Sequence, residues 1–317
     1  MCSATASSSR HSGFAALIGA PNVGKSTLLN RLAGAKLSIV SPKAQSSRGR
    51  ILGIVTRPQG QVAFIDTPGL HPPRRGLSRR LVQIALHSLS DADLVLLMIE
   101  PPAKDASPIP DVNRFILDRV RAAKKAAFLL INKVDLIPKT RVLALIDSYR
   151  EELSFEEVLP ISAKAGEGVE ELIELAIAHL PEGDPMFDED MLTDQAERAV
   201  AGELIREQIF RHCREEIPYS AAVTVEVFDE SEREPRLQDR GRPNAGLVRI
   251  EATIHLERES QRAILIGKRG QMLKRIGTDA RASIERMVGT HVYLSLHVRV
   301  EPRWSERPEA LRKLGYP

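Results

Sequence analysis

Nine residues, Gly19-Ala20-Pro21-Asn22-Val23-Gly24-Lys25-Ser26-Thr27, carry the first chemistry this chain offers. They fit G-x-x-x-x-G-K-[S/T], in which small residues let backbone N–H groups close around phosphate oxygens. In that pattern the lysine reaches the β- and γ-phosphates, and the hydroxyl at Ser26 holds Mg²⁺. Phe14 to Ile18 before it reads as a buried strand, and Leu28, Leu29 and Leu32 after it are spaced for a helix. A strand, a glycine loop and a helix N-terminus, whose partial positive charge attracts anions, are what a nucleoside triphosphate site requires.

Further along, Gln61-Val62-Ala63-Phe64-Ile65 reads as a strand that delivers Asp66-Thr67-Pro68-Gly69. Asp66 is placed to hold Mg²⁺ through water, and the N–H of Gly69 to touch the γ-phosphate. Alone, such a tetrapeptide is an ordinary turn; its distance from the glycine loop gives it meaning. The run Asp93 to Ile99 reads as a central parallel strand. Another, Ala126 to Ile131, ends in Asn132-Lys133-Val134-Asp135. A carboxylate at Asp135 accepts two hydrogen bonds from the N1–H and exocyclic amine of guanine, whereas adenine presents an acceptor at N1 and leaves the charged oxygen unpaired. Sites of this kind reject the wrong base by roughly 10⁴-fold. Glu157 to Ile161 then leads into Ser162-Ala163-Lys164, a loop whose backbone N–H suits the guanine O6.

Between the first two stations, Ser41 to Arg48 reads as a loop that presents a hydroxyl to Mg²⁺ only when the γ-phosphate is bound. Ser47 is the first choice and Ser46 the second. All the stations fall at the C-terminal ends of candidate strands, where open α/β sheets bind ligands. GTP is the expected substrate, GDP the product and Mg²⁺ the cofactor. Lys25, Ser47 and Gly69 are the expected catalytic groups, and Asn22 is a candidate to hold K⁺ near the phosphates.

A length of 317 residues suits two domains, each with its own core. No apolar stretch approaches the roughly 18–20 residues of a membrane span, and residues 1–12 are too polar for a signal peptide. A cytoplasmic chain with a disordered tail over 1–12 is expected. Cys2 and Cys213 lack C-x-x-C spacing, so neither a disulfide framework nor a zinc site is indicated. Net charge is +3, and residues 1–185 (23 basic, 19 acidic) differ little from 186–317 (22 and 23). Bulk charge therefore names no partner. Locally, Arg258 to Arg286 holds eight basic residues against three acidic ones, a footprint for an anion. Pro181-Glu182-Gly183-Asp184-Pro185 and Asp188-Glu189-Asp190 read as linker, giving domains over 13–182 and 198–317 joined by 183–197.

In the second half, an apolar helix face (Ala199, Leu204, Ile205, Ile209, Phe210) precedes three segments that alternate with period two. These are Val223/Val225/Val227, Val248 to Leu256 and Val292 to Val300, a sheet with one face covered by helices. Between the last two comes Ile264-Leu265-Ile266-Gly267-Lys268-Arg269-Gly270 and then a helix with Met272, Leu273, Ile276, Ala280, Ile284 and Met287 inward. An α-β-β-α-α-β order carrying Gly-x-x-Gly between two helices is the arrangement of a type II KH domain. There Gly267 and Gly270 let the chain approach a nucleic-acid backbone, while Lys268 and Arg269 project as charge. Lys274 and Arg275 extend the basic surface, and Ile264 and Ile266 are candidates to line a groove for a splayed-out base. Gly277 interrupts the helix at a cost of ~1 kcal/mol, which implies the close approach of another element.

An α/β P-loop GTPase domain, with a mostly parallel sheet and helices on both faces, followed by an α+β type II KH domain with a C-terminal helix resembles the Era family of bacterial ribosome-assembly GTPases. The residues that carry the resemblance are Gly19 to Thr27, Lys43-Ala44-Gln45, Asp66 to His71, Asn132 to Asp135, Ile264 to Gly277 and Leu311 to Tyr316. It implies slow GTP hydrolysis, recognition of the single-stranded 3′ end of 16S rRNA, and association with the maturing small (30S) ribosomal subunit. It also implies peripheral association with the inner membrane, no DNA partner and a monomer. The chain departs from the family in having Ser46-Ser47 where a Thr-Thr pair is usual. Leu70 stands where Ras-like enzymes carry a water-orienting glutamine. An alternative reading is a membrane-surface GTPase that lays its basic helix on anionic lipid.

Overall fold

Strands β1 (His11–Ile18), β2 (Ile51–Arg57), β3 (Gly60–Asp66), β4 (Leu94–Ile99), β5 (Ala126–Ile131) and β6 (Glu157–Pro160) form one sheet in the order β2-β3-β1-β4-β5-β6. All neighbours are parallel except β2, which runs antiparallel to β3 as a hairpin at the edge. The computed structural model describes residues 10–41, 47–73, 77–234 and 246–315, and divides near Asp194 into two compact units. β4, Leu-Val-Leu-Leu-Met-Ile, is buried at every position, as a strand covered on two faces must be.

Helices alternate with these strands: α1 (Lys25–Leu32) follows β1, α2 (Leu77–Asp91) follows β3, and α3 (Asp111–Ala123) follows β4. α4 (Lys139–Glu152) and α5 (Val169–Ala178) follow β5 and β6. α3 and α4 are tied inside the core, where Asn113 Nδ2 donates to the buried Tyr149 hydroxyl at 2.7 Å. The parallel order sends every β-to-α turn to one end of the sheet, so the stations at Gly19, Asp66, Asn132 and Ser162 share that end.

Two boundaries differ from expectation. β1 begins at His11, two residues ahead of the domain start at Gly13, because β3 reaches back to Gly60 and gives His11 and Ser12 ladder partners. The acidic stretch expected as linker belongs in large part to the first unit. Gln61 accepts the amides of Met186 and Phe187 at 2.9 Å each and donates to Phe187 O at 2.9 Å. Ile54 N–H donates to Leu192 O, and the Phe187 ring meets Phe14 edge-on. A buried glutamine with all its polar groups paired holds that segment in place.

The second unit runs α6 (Glu197–His212), α7 (Ile217–Ser220), β7 (Ala222–Glu232), β8 (Leu247–Leu256), α8 (Glu259–Ile266), α9 (Gln271–Val288) and β9 (His291–Val300), ending in α10 (Pro308–Lys313). Its sheet has the order β7-β8-β9, with β7 antiparallel and β9 parallel to β8. A parallel pair needs a long crossover, and α8 and α9 supply it. Val248, Ile250, Ala252, Ile254 and Leu256 are all buried, as the alternation implies.

In β7 the alternation fails after Val225. A bulge shifts the register, so that Val227 is exposed and Phe228 packs against the core. The carbonyls of Val225 and Glu226 there turn to the Arg198 guanidinium. On α6, Leu204, Ile205, Ile209 and Phe210 are buried as expected, while Ala199 is exposed and its neighbour Val200 is buried. Trp304 is wholly buried against Ala222, Leu311 and Leu314, and its indole N–H donates to Ser220 O at 2.8 Å, which anchors α10.

Candidate functional site

The glycine loop joins β1 to α1. Gly24 precedes α1 with φ 105°, and a Cβ there would lie 2.3 Å from Asn132 Nδ2, so both backbone and space demand glycine. The first turn of α1 carries no acidic residue, which leaves its N–H groups and dipole open to an anion. The buried Lys25 ammonium donates to Gly19 O at 3.0 Å and Ala20 O at 2.9 Å, wrapping the loop around itself. Burial lowers its pKa to about 8, against the pull of the Asp66 carboxylate. Asn22, with φ 67°, is exposed at the loop tip.

Asp66, at the end of β3, is completely buried. Its Oδ2 accepts Ser26 Oγ at 2.7 Å, Ser38 Oγ at 2.8 Å and Ser47 Oγ at 3.2 Å, and the Ser26 and Ser47 hydroxyls lie 2.7 Å apart. Its Oδ1 is buried with no hydrogen-bond partner among the described residues. Burial raises the Asp66 pKa, opposed by Lys25 and the three serines. A pocket that disfavours charge on both groups would be compensated by a phosphate beside Lys25 and a cation beside Asp66.

One carboxylate, two adjacent hydroxyls and an oxygen left over form a hard donor set that fits Mg²⁺. Among the described residues, no cluster of three or more His, Cys, Asp or Glu suits a softer metal. Leu70 N–H donates to Gly19 O at 3.0 Å, which sets the Gly69 turn against the glycine loop. The Leu70 side chain is fully buried and has nothing with which to orient water. Ser46 and the Lys43-Ala44-Gln45 segment lie outside the described residues.

Asn132 bridges two loops: its Nδ2 donates to Val23 O at 2.7 Å, and its Oδ1 accepts the Ala163 N–H at 2.9 Å. One buried amide thus locks the phosphate loop to the Ser162-Ala163-Lys164 turn. Lys133 Nζ donates to Asn22 O at 3.1 Å and pairs with Glu100 at the end of β4. Asp135 stands exposed just beyond. Arg31, in the last turn of α1, donates to Ala163 O and Lys164 O and braces the turn from below.

In the second unit the backbone of the Gly-x-x-Gly turn is strained where it must be. Gly267 has φ 71°, and a Cβ there would lie 2.8 Å from Met272 Cβ. Lys268 and Arg269 are exposed between α8 and α9, with Arg269 at φ 53°. Beside the turn runs a groove of about 690 Å³ between α9 and β9, the free edge of the sheet. Gly270, Lys274 and Gly277 line it, together with Arg281, Tyr293 and Leu294. Ile264 and Ile266 do not line it, and Ile264 is exposed to solvent. Arg275 also falls outside the lining. A Cβ at Gly277 would meet Leu296 at 3.4 Å, so the approaching element is β9.

The first unit matches the family described as 50S ribosome-binding GTPase over residues 14–133, and residues 216–305 match the KH domain family. GTPase Era of Geobacter metallireducens is 46% identical over 305 residues, covering 96% of this chain and 97% of that protein. The chain belongs to the Era family. GTPase Era of Leuconostoc citreum is 45% identical over 314 residues, 98% of each chain. A variant of Aquifex aeolicus Era, solved bound to GDP.AlF4-, superimposes with a TM-score of 0.86 at 39% identity, covering 96% of this chain and 99% of that one. Era in complex with MgGDPNP and nucleotides 1506–1542 of 16S ribosomal RNA gives a TM-score of 0.86 at 40% identity over 97% and 99% of the chains.

The chain is therefore a P-loop GTPase domain followed by a KH domain, like the other Era proteins. Within this Era-family site, sequence reasoning missed Ser38, Asn30, Glu100 and Arg31, and in the groove Arg281, Tyr293 and Leu294. Asn30 carried a signal: asparagine in a helix interior is poorly favoured unless its side chain serves another backbone. Tyr293 carried one too, as an aromatic on the polar side of an alternating strand.

Proposed function

We propose that this chain is a GTP-hydrolysing switch that binds the single-stranded 3′ end of 16S rRNA through its KH domain and assists maturation of the small ribosomal subunit in the cytoplasm. The observation that carries the reading is the groove beside the Gly267–Gly270 turn on the same chain as the Asn132 bridge between the phosphate loop and the Ser162–Lys164 turn. Supporting it, the Era protein solved with MgGDPNP and 16S rRNA nucleotides matches both units at 40% identity.

In this reading Gly19 to Thr27 wrap the phosphates, with Lys25 on the β- and γ-oxygens. Ser26 and Ser47 offer hydroxyls to Mg²⁺, and Asp66 holds its water shell. A cation held by these residues would supply charge neutralisation at the β- and γ-phosphate oxygens. Gly69 N–H faces the γ-phosphate, and Asp135 takes the guanine N1–H and amine. Asn132 and Lys133 fix the pocket walls, and Ser162, Ala163 and Lys164 close it at O6. Leu70 provides no base, so turnover is slow and rests on charge stabilisation by Lys25 and backbone amides.

Gly267, Lys268, Arg269 and Gly270 clamp the RNA backbone, with Lys274 and Arg281 along its path and bases in the groove toward Tyr293. GTP orders Ser47 and the turn after Gly69, and hydrolysis releases the RNA-bound state. No observation favours the lipid reading, and Lys274 and Arg281 line a groove rather than an open face.

The test is RNA affinity by fluorescence anisotropy, using an oligonucleotide of the 16S 3′ end and a scrambled control. Preferential binding that is lost on Lys268→Ala/Arg269→Ala is expected. Equal binding to both oligonucleotides overturns the assignment.

A further inference from the structure

Ser38 belongs to no part of the nucleotide site assigned above, yet its hydroxyl donates to Asp66 Oδ2 at 2.8 Å from a position 3% exposed. It is held there by a single side chain. Asn30 Oδ1 accepts the amides of Leu37 at 2.9 Å and Ser38 at 2.8 Å, while Asn30 Nδ2 donates to Ser38 O at 2.8 Å. Three bonds from one asparagine on α1 make Ser38 part of the helix that carries Lys25 and Ser26.

Asp66 Oδ2 accepts three donors, although a carboxylate oxygen offers about two lone-pair directions. The weakest is Ser47, at 3.2 Å. Ser26 and Ser47 both have a second use, as hydroxyl ligands to a cation, and Ser38 has none within reach of the phosphate loop.

We propose that Ser38 is a positioning residue for the Mg²⁺ site: clamped by Asn30, its hydroxyl holds Asp66 Oδ2 so that Oδ1 keeps facing the metal's water shell whether or not Ser47 is engaged. Ser26 and Ser47 are thereby free to turn to the cation without Asp66 rotating. The inference rests on the Mg²⁺ and GDP assignment above and adds to it a residue on the near side of the switch loop.

The experiment follows N-methylanthraniloyl-GDP binding to the full chain across a Mg²⁺ titration and again in EDTA. Loss of one hydrogen bond to a charged group corresponds to about a tenfold effect. Ser38→Ala is therefore expected to raise the Mg²⁺ concentration for half-maximal GDP retention by about tenfold, while affinity in EDTA stays at the wild-type value. Asn30→Ala should shift the Mg²⁺ midpoint in the same direction, and Ser38→Thr, which keeps the hydroxyl, should restore it. A midpoint unchanged in Ser38→Ala, or a parallel loss of affinity in EDTA, overturns the inference. Wild-type retention indifferent to Mg²⁺ removes the underlying metal assignment as well.

Discussion

Asp135, exposed after β5, is the residue proposed to choose the base, because a carboxylate accepts from two donors and is left unpaired by an acceptor. Asp135→Asn keeps an acceptor for N1–H but sets an amide donor against the exocyclic amine. GDP affinity should fall by about 100-fold, or ~3 kcal/mol, while a xanthine nucleotide, with a carbonyl in place of that amine, should gain. Competition binding with GDP and XDP checks this, and unchanged preference would remove Asp135 from the pocket. Glu100→Gln is expected to do far less. The Lys133 pair is more than a third exposed on both sides, and screened pairs of that kind contribute about 0–1 kcal/mol. GDP affinity should therefore change less than about fivefold in the same assay. The runs Gly19 to Thr27 and Asn132 to Asp135 stood out in the sequence because each is contiguous and its residue types suggest a chemistry, and the fold brings both to one end of the sheet. Ser38, Asn30 and Arg31 did not stand out, since their meaning lies in contacts between segments that no local pattern records.

At the level of elements, α3 and α4 are joined by a polar contact with a pH signature. Burial pushes the Tyr149 hydroxyl up to about 12, with Asn113 and Arg114 pulling the other way. The folded value lies above the unfolded one, near 10. The tyrosine's contribution is therefore fully present below pH 10 and is lost as pH rises through 12. A shift of this size corresponds to about 2–3 kcal/mol. Denaturant melts between pH 9 and 12 should show this slope, and Tyr149→Phe should flatten it. An identical slope in the variant would assign the loss elsewhere.

In the KH unit, Lys268→Ala/Arg269→Ala removes the two residues proposed to meet RNA phosphates. The slope of log K against log salt for single-stranded RNA should decrease by about 1.4. Period-two alternation made β8 and β9 readable, but the bulge after Val225 hides from any regular pattern, because one extra residue exchanges the two faces. The segment around Met186 and Phe187 read as linker from its prolines and acids. Its attachment to Gln61 depends on backbone groups that the residue types do not reveal.

For the whole molecule, the pairing of a GTPase with a KH domain was readable because each carries its own motif, and the pairing is more specific than either. Coupling between them is a thermodynamic claim. If GTP and GDP bias the RNA-binding state differently, RNA must bias nucleotide affinity by the same factor. The expected outcome is a severalfold difference in affinity for the 16S 3′-end oligonucleotide between the GDPNP and GDP forms, abolished by Lys25→Ala. Equal affinities would leave a binding module whose hydrolysis serves only as a timer.

Beneath all of this lies the proposed guanine pocket of Asn132, Asp135 and the loop after Gly19. Titration calorimetry of the full chain in Mg²⁺, first with GDP and then with ADP, tests it most directly. Saturable heat with GDP and binding of ADP weaker by at least about 10³-fold is the expected result. Equal binding of the two, or no heat with GDP, would contradict it.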